Sequence, residues 1–114
     1  DIPSKFADRL FYEHNPTVTL MRTTPEENQE LGQQIARRAA AANGPVSILL
    51  PLQGVSAIDC SDQPFDDPVA REALFGAIRD QHGTASLEEL PLHINDPDFA
   101  NSAARRLLDM MSRS

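Results

Sequence analysis

The sequence has a single cysteine, no tryptophan and a single lysine, Lys5. One thiol cannot close an internal disulfide, so nothing asks for an oxidising compartment and a cytoplasmic location is expected. No apolar run approaches the roughly 18 residues that a membrane helix needs, which excludes that class of span. There is no Gly-x-x-x-x-Gly-Lys-[Ser/Thr] loop, no Gly-x-Gly-x-x-Gly turn and no Gly-x-Ser-x-Gly elbow. A P-loop, a dinucleotide fingerprint and a hydrolase nucleophile turn are therefore not expected. No two histidines or cysteines have zinc-ligand spacing, and Asp62, Asp66 and Asp67 lack the calcium-loop pattern, so no metal site is expected. The opening residues 1–10 hold neither a basic stretch nor an apolar one and do not begin with Met, which reads as a piece of a longer protein rather than a signal peptide.

Basic charge is also scarce. Residues 1–57 carry 6 acids and 5 bases, residues 58–114 carry 11 acids and 5 bases, and the net charge is −7. Binding a polyanion needs a basic stripe that releases counterions, so nucleic acid and anionic membranes are not expected partners. A small phosphorylated ligand needs only helix-end amides and one or two arginines, and that possibility stays open.

What is present is a chain of 114 residues with clear helix starts. Thr24-Pro25, Asp67-Pro68 and Asp96-Pro97 each set a capping oxygen before a proline that needs no amide partner. Glu27 completes a capping box in the first. The spacing predicts helices from Pro25 to Asn43-Gly44-Pro45, from about Pro68 to Gln81, and from about Pro97 to Met111. Their expected buried stripes are Leu31, Ile35, Ala39 and Ala42; Ala70, Ala73, Leu74, Ala77 and Ile78; and Phe99, Ala103, Leu107 and Met110. Strands are expected at 18–21, 46–50 and 86–90, with Glu88 and Glu89 marking the last as an edge.

The order β-α-β-α-β-α predicts an α/β fold: part of a Rossmann- or flavodoxin-like three-layer sandwich with a parallel sheet. Residues 1–16 read as an N-terminal arm, with Phe6, Leu10, Phe11 and Tyr12 as a short helix, and 17–114 as the α/β subdomain. Three strands make a thin sheet, so a missing upstream segment or a second copy is expected to complete it.

Ligands in open parallel sheets collect at the carboxyl ends of strands. Three polar strand exits are expected to share one rim: Arg22, Thr23 and Thr24; Gly54, Val55, Ser56 and Asp59; and His93, Asn95 and Asp96. The anion-binding candidates are Arg22, Thr23, Thr24, Gly54, Val55, Ser56, Asn95 and Asp96. His93 and Asp59 are the candidate acid–base pair. Each has a plainer reading: Thr24 and Asp96 as helix caps, Arg22 as the partner of Glu26 or Asp59, and Gly54 as a tight turn.

Three blocks carry a family likeness. They are His14-Asn15-Pro16 with Leu20–Glu27, Gly44-Pro45 with Leu50–Ser56 and Asp59, and His93–Pro97 with Phe99-Ala100. Together they resemble the carboxyl-terminal end of an uncharacterised (UPF-type) family of ATP-binding proteins related to the tomato mosaic virus resistance protein. Cys60–Gln63 departs from that pattern, where a glycine-containing turn is expected before Pro64-Phe65. The resemblance implies the last part of a second α/β domain, ATP or another nucleotide as ligand, and in the plant member an inhibitory contact with viral replication proteins; magnesium is the expected companion of such a ligand. It assigns no ligand atom to any residue. The leading expectation is a nucleotide- or phosphoryl-ligand-binding segment; the alternatives are an assembly module and an acid–base enzyme using His93 with Asp59 or Asp96.

Overall fold

The computed structural model describes residues 2–113. In chain order the elements are a 3-10 turn (Ser4–Phe6), β1 (Phe11–Asn15), β2 (Val18–Met21), α1 (Pro25–Ala41), β3 (Ser47–Pro51), β4 (Gly54–Ser56), β5 (Asp59–Cys60), α2 (Pro68–Gln81), β6 (Ser86–Leu90) and α3 (Pro97–Ser112). The chain is α/β, and its central sheet is parallel: β3 pairs with β6 from Ser47↔Ser86 to Pro51↔Leu90. None of the helices described is long and apolar enough to cross a membrane.

All three predicted caps form. The Thr24 side chain accepts from Glu27 N while Glu27 answers at Thr24 N, Asp67 accepts from Ala70 N, and Asp96 accepts from Asp98 N. Each removes an orphan donor from a first turn, which is why these helices start where the sequence places them.

One strand assignment needs correction. Residues 18–21 do not join the parallel sheet; they pair antiparallel with β1 in a hairpin of their own. The Asn15-Pro16-Thr17 turn causes this. Asn15 Oδ1 accepts from both Thr17 N (2.9 Å) and Thr17 Oγ1 (2.8 Å), reversing the chain so that Phe11–Asn15 lies beside Val18–Met21. The expected helical arm shrinks accordingly to the single turn Ser4–Phe6.

The core lies between α2 and the sheet, where Leu50, Phe75 and Ile78 are buried and Ile48, Leu52, Val55, Leu74 and Leu87 pack around them. The inward set expected for α2 holds for Ala70, Ala77 and Ile78, with Phe75 added. The stripes expected for α1 and α3 do not. α1 buries Asn28, Gly32 and Ala36 against α2 instead, leaving Leu31 44% and Ile35 46% exposed. Gly32 explains the choice: a Cβ there would stand 2.5 Å from Leu74 O and 2.8 Å from Ala77 Cβ, so only a glycine lets the two helices approach this closely. In α3 no residue is buried; Leu107 is exposed, while Phe99 and Met110 are half-buried.

The result is extended. The radius of gyration is 16.1 Å, against about 13 Å for a compact domain of this size. The accessible surface is 7490 Å², against roughly 6,200 Å² for a folded monomer of this mass.

Candidate functional site

Parallel pairing carries β3 and β6 to a common rim. Beyond the strands the ladder continues through Leu52 N to Leu90 O (3.0 Å), Gln53 N to Leu92 O (3.1 Å) and Ile94 N to Gly54 O (3.0 Å). Gly54 and Ser56 are thereby drawn beside His93, so two of the three exits meet on this rim. The third arrives differently. Arg22 leaves the separate hairpin, and an ion pair rather than shared sheet geometry brings it in: Arg22 Nη2 stands 2.9 Å from Asp59 Oδ2.

Gly54 and His93 are fitted to one another. Gly54 has φ +154°, and a Cβ on it would collide with the His93 ring at Cδ2 and with Cys60 Cβ. The imidazole is spent on backbone at both nitrogens: Nδ1 accepts from Asn95 N (2.9 Å) and Nε2 lies 2.9 Å from Ser56 O. With Nδ1 accepting, the proton belongs on Nε2, which donates to the Ser56 carbonyl. His93 thus clips the exit of β6 onto β4. Asp96 is engaged as the cap of α3, and Val55 turns into the core.

Asp59 is 5% exposed and lies between two guanidiniums, Arg22 on Oδ2 and Arg71 on Oδ1 (3.0 Å). Arg71 continues to Asp66 (2.9 Å). On the other side Arg22 Nη1 donates to Thr23 Oγ1 (3.2 Å), Thr23 Oγ1 donates to Asn28 Oδ1 (2.6 Å), and Asn28 Nδ2 donates to Ala70 O (2.9 Å). One continuous polar network therefore ties the hairpin exit, α1, β5 and α2 together. Its four formal charges, Arg22, Arg71, Asp59 and Asp66, cancel. Burial opposes the charge on Arg71, but the hydrogen bonds and field of Asp59 and Asp66 outweigh it and hold its pKa above the ordinary arginine value. The Arg71 hydrogen bond holds the Asp66 carboxyl below its usual range, and the Thr24 amide does the same for Glu27.

Two atoms stand out in that network. Arg22 is 8% exposed, yet among the described residues its Nε and Nη2 find no hydrogen-bond acceptor; Nη2 is close to Asp59 without being aligned to it. Thr23 borders a cleft of about 330 Å³ with Glu27, Glu30, Leu31 and Gln34, whose two carboxylates repel an anion. Sequence reasoning missed Arg71, Asn28 and Asp66. The signal for Asn28 was present: Asn28, Gly32 and Ala36 recur every four residues, a stripe of small and polar side chains suited to close helix packing.

Comparison with known proteins adds an identity to this geometry. Residues 1–111 match the model of an uncharacterised protein family (UPF0261), C-terminal domain. A UPF0261 protein of Rhizobium meliloti is 44% identical over 112 residues, covering 96% of this chain and 28% of the relative. A UPF0261 protein of Clostridium tetani is 38% identical, covering 98% of the chain and 28% of the relative. A ToMV resistance protein of Solanum lycopersicum is 36% identical, covering 99% of the chain and 15% of the relative. The chain spans under a third of the length of each of these relatives.

Proposed function

The chain belongs to the UPF0261 family, within its C-terminal domain, and from that premise we propose that it works as an assembly segment, completing a larger α/β protein rather than enclosing a reaction centre of its own. The observation that carries this reading is the surplus surface: 7490 Å², about 1,300 Å² beyond a compact monomer of this mass. That exceeds the roughly 800 Å² that each partner gives to a standard interface. Among the described residues β3 pairs only with β6, so an apolar strand suited to the middle of a sheet keeps one edge open. Leu31 and Ile35 extend a half-exposed apolar face along α1. A further parallel strand and helix from the remainder of a family-length polypeptide suit that edge and that face.

Hydrogen–deuterium exchange on the 114-residue chain and on a family-length protein tests this. Protection of β3 and α1 should rise clearly in the longer protein. Equal protection in both defeats the reading.

A second reading rests on Arg22. Nη2 faces the Asp59 carboxylate at 2.9 Å, but Nε has no acceptor among the described residues, and a buried donor of that kind costs about 1–3 kcal/mol unless something answers it. A phosphoryl oxygen of a small ligand, such as ATP with magnesium, is one acceptor that suits a guanidinium, and it would approach from outside this segment. The residues here otherwise offer little to a nucleotide, because the network is neutral and His93, Asp59, Thr24 and Asp96 are already engaged. Calorimetry with ATP and magnesium on the full chain, repeated with Arg22→Lys, addresses it. Heat that survives the substitution, or no heat at all, removes this site.

A further inference from the structure

The junction between α3 and the sheet is polar and open. Arg106 donates from Nε to Ser47 Oγ (3.1 Å) and from Nη2 to Ser86 Oγ (2.8 Å), spanning the starts of β3 and β6. No residue of α3 is buried, so polar contacts prop this junction where apolar ones would close it. Between α3 and β6 it leaves a groove of about 540 Å³, within the roughly 300–1,000 Å³ of small-molecule sites.

The lining carries both signs of charge. The strand wall supplies Ser86 and Glu88, and the helix wall Ser102, Arg105, Arg106 and Asp109. Asp109 is held between Arg106 (3.5 Å) and Arg113 (3.2 Å). Ser86 accepts from Arg106 and keeps its own hydroxyl proton to give. Glu88 and Arg105 differ from these. Both are exposed, they stand on opposite walls, and among the described residues neither side chain makes a hydrogen bond or an ion pair. The groove therefore has a free carboxylate on one wall and a free guanidinium on the other, and the two do not close on each other.

That pattern selects a ligand. An anion gains from Arg105 and Arg106 but meets the fields of Glu88 and Asp109, and a cation meets the reverse. A neutral molecule answers neither charge. We propose that the groove binds a small zwitterion, a free α-amino acid, with its carboxylate on Arg105 and its ammonium group on Glu88. Both are charge-assisted hydrogen bonds, and the guanidinium fork suits a carboxylate. A ligand of zero net charge is also not repelled by a chain of net charge −7. This is binding without a reaction, and it goes beyond the assembly reading, which rests on β3 and α1.

Three molecules of one skeleton test it: L-alanine carries both charges, L-lactate only the carboxylate and L-alaninamide only the ammonium group. In amide NMR titrations of an isotope-labelled family-length protein, L-alanine should shift signals of β6 and α3, and the other two should bind about tenfold more weakly or worse. Glu88→Gln and Arg105→Gln should each weaken L-alanine binding about tenfold or more with an unchanged thermal melt, because neither side chain is used within the chain. Arg38→Gln, which removes an exposed charge from α1, should leave binding as it was. No shift with L-alanine, L-lactate or L-alaninamide bound as firmly, shifts confined to other elements, or binding that survives both groove substitutions each overturns the proposal. The comparison of the three molecules needs no variant, so it decides even where a substitution disturbs the fold. The exchange test of assembly is read on β3 and α1, so the two proposals stand or fall separately.

Discussion

α2 and α3 are helices of similar length on the same two-stranded sheet, yet they meet it in opposite ways. α2 presents Phe75 and Ile78 to the strands and buries them; α3 presents Ser102, Arg106 and Asp109 and buries nothing. The first contact excludes water and is held by apolar area. The second is held by directional hydrogen bonds from one guanidinium, each worth about 1 kcal/mol. Two helices can therefore share one sheet while only one of them belongs to the core, and the other keeps its apolar side for something else.

Substitution should expose the difference. Phe75→Ala is expected to cost about 3–5 kcal/mol, seen as a large drop in the denaturant midpoint. Gly32→Ala should cost about 1–3 kcal/mol, because the new methyl has no room between α1 and α2. Gly76→Ala is its control: a Cβ there meets nothing nearer than 3.9 Å, so helix propensity should make it neutral or stabilising by up to about 1 kcal/mol. Arg106→Ala removes both of its bonds to the strand starts and should cost about 2 kcal/mol in stability, a smaller shift of the melt than that of Phe75→Ala. A loss as large as that of Phe75→Ala would mean that α3 belongs to the core after all.

The smallest effect concerns pH. Glu27 and Asp66 have folded pKa values below their ordinary ones. The stability each contributes is therefore present above the ordinary carboxylate range and is lost as pH falls through the lowered folded value. Melts recorded between about pH 5 and pH 3 should show a decline that Glu27→Gln makes shallower. An identical decline in the variant would remove Glu27 as a contributor.

Local signals were legible in the sequence, and facing was not. Thr24, Asp67 and Asp96 cap helices as read because a cap depends on a few neighbouring residues. The parallel pairing of 46–50 with 86–90 was likewise readable from an apolar run, a helix and an edge strand in succession. Periodicity finds an apolar side of α1 or α3 but does not say whether this chain or another polypeptide covers it. Leu31, Ile35 and Leu107 were for that reason assigned to a core they do not enter. Val18–Met21 was misplaced because the turn at Asn15–Thr17 outweighs the strand order that alternation implies. At the site, the plainer reading of Arg22 as the partner of Asp59 is the geometry observed, and Thr24 and Asp96 are caps. Arg71 went unseen because its partner Asp59 lies on another element, 12 residues away.

The union of β3 with β6 has a consequence for birth on the ribosome. The two strands touch only after residues 52–85 have been made, which takes several seconds at about 5–20 residues per second. Through that interval Ile48, Leu49 and Leu50 are already synthesised while their hydrogen-bonding neighbour does not yet exist.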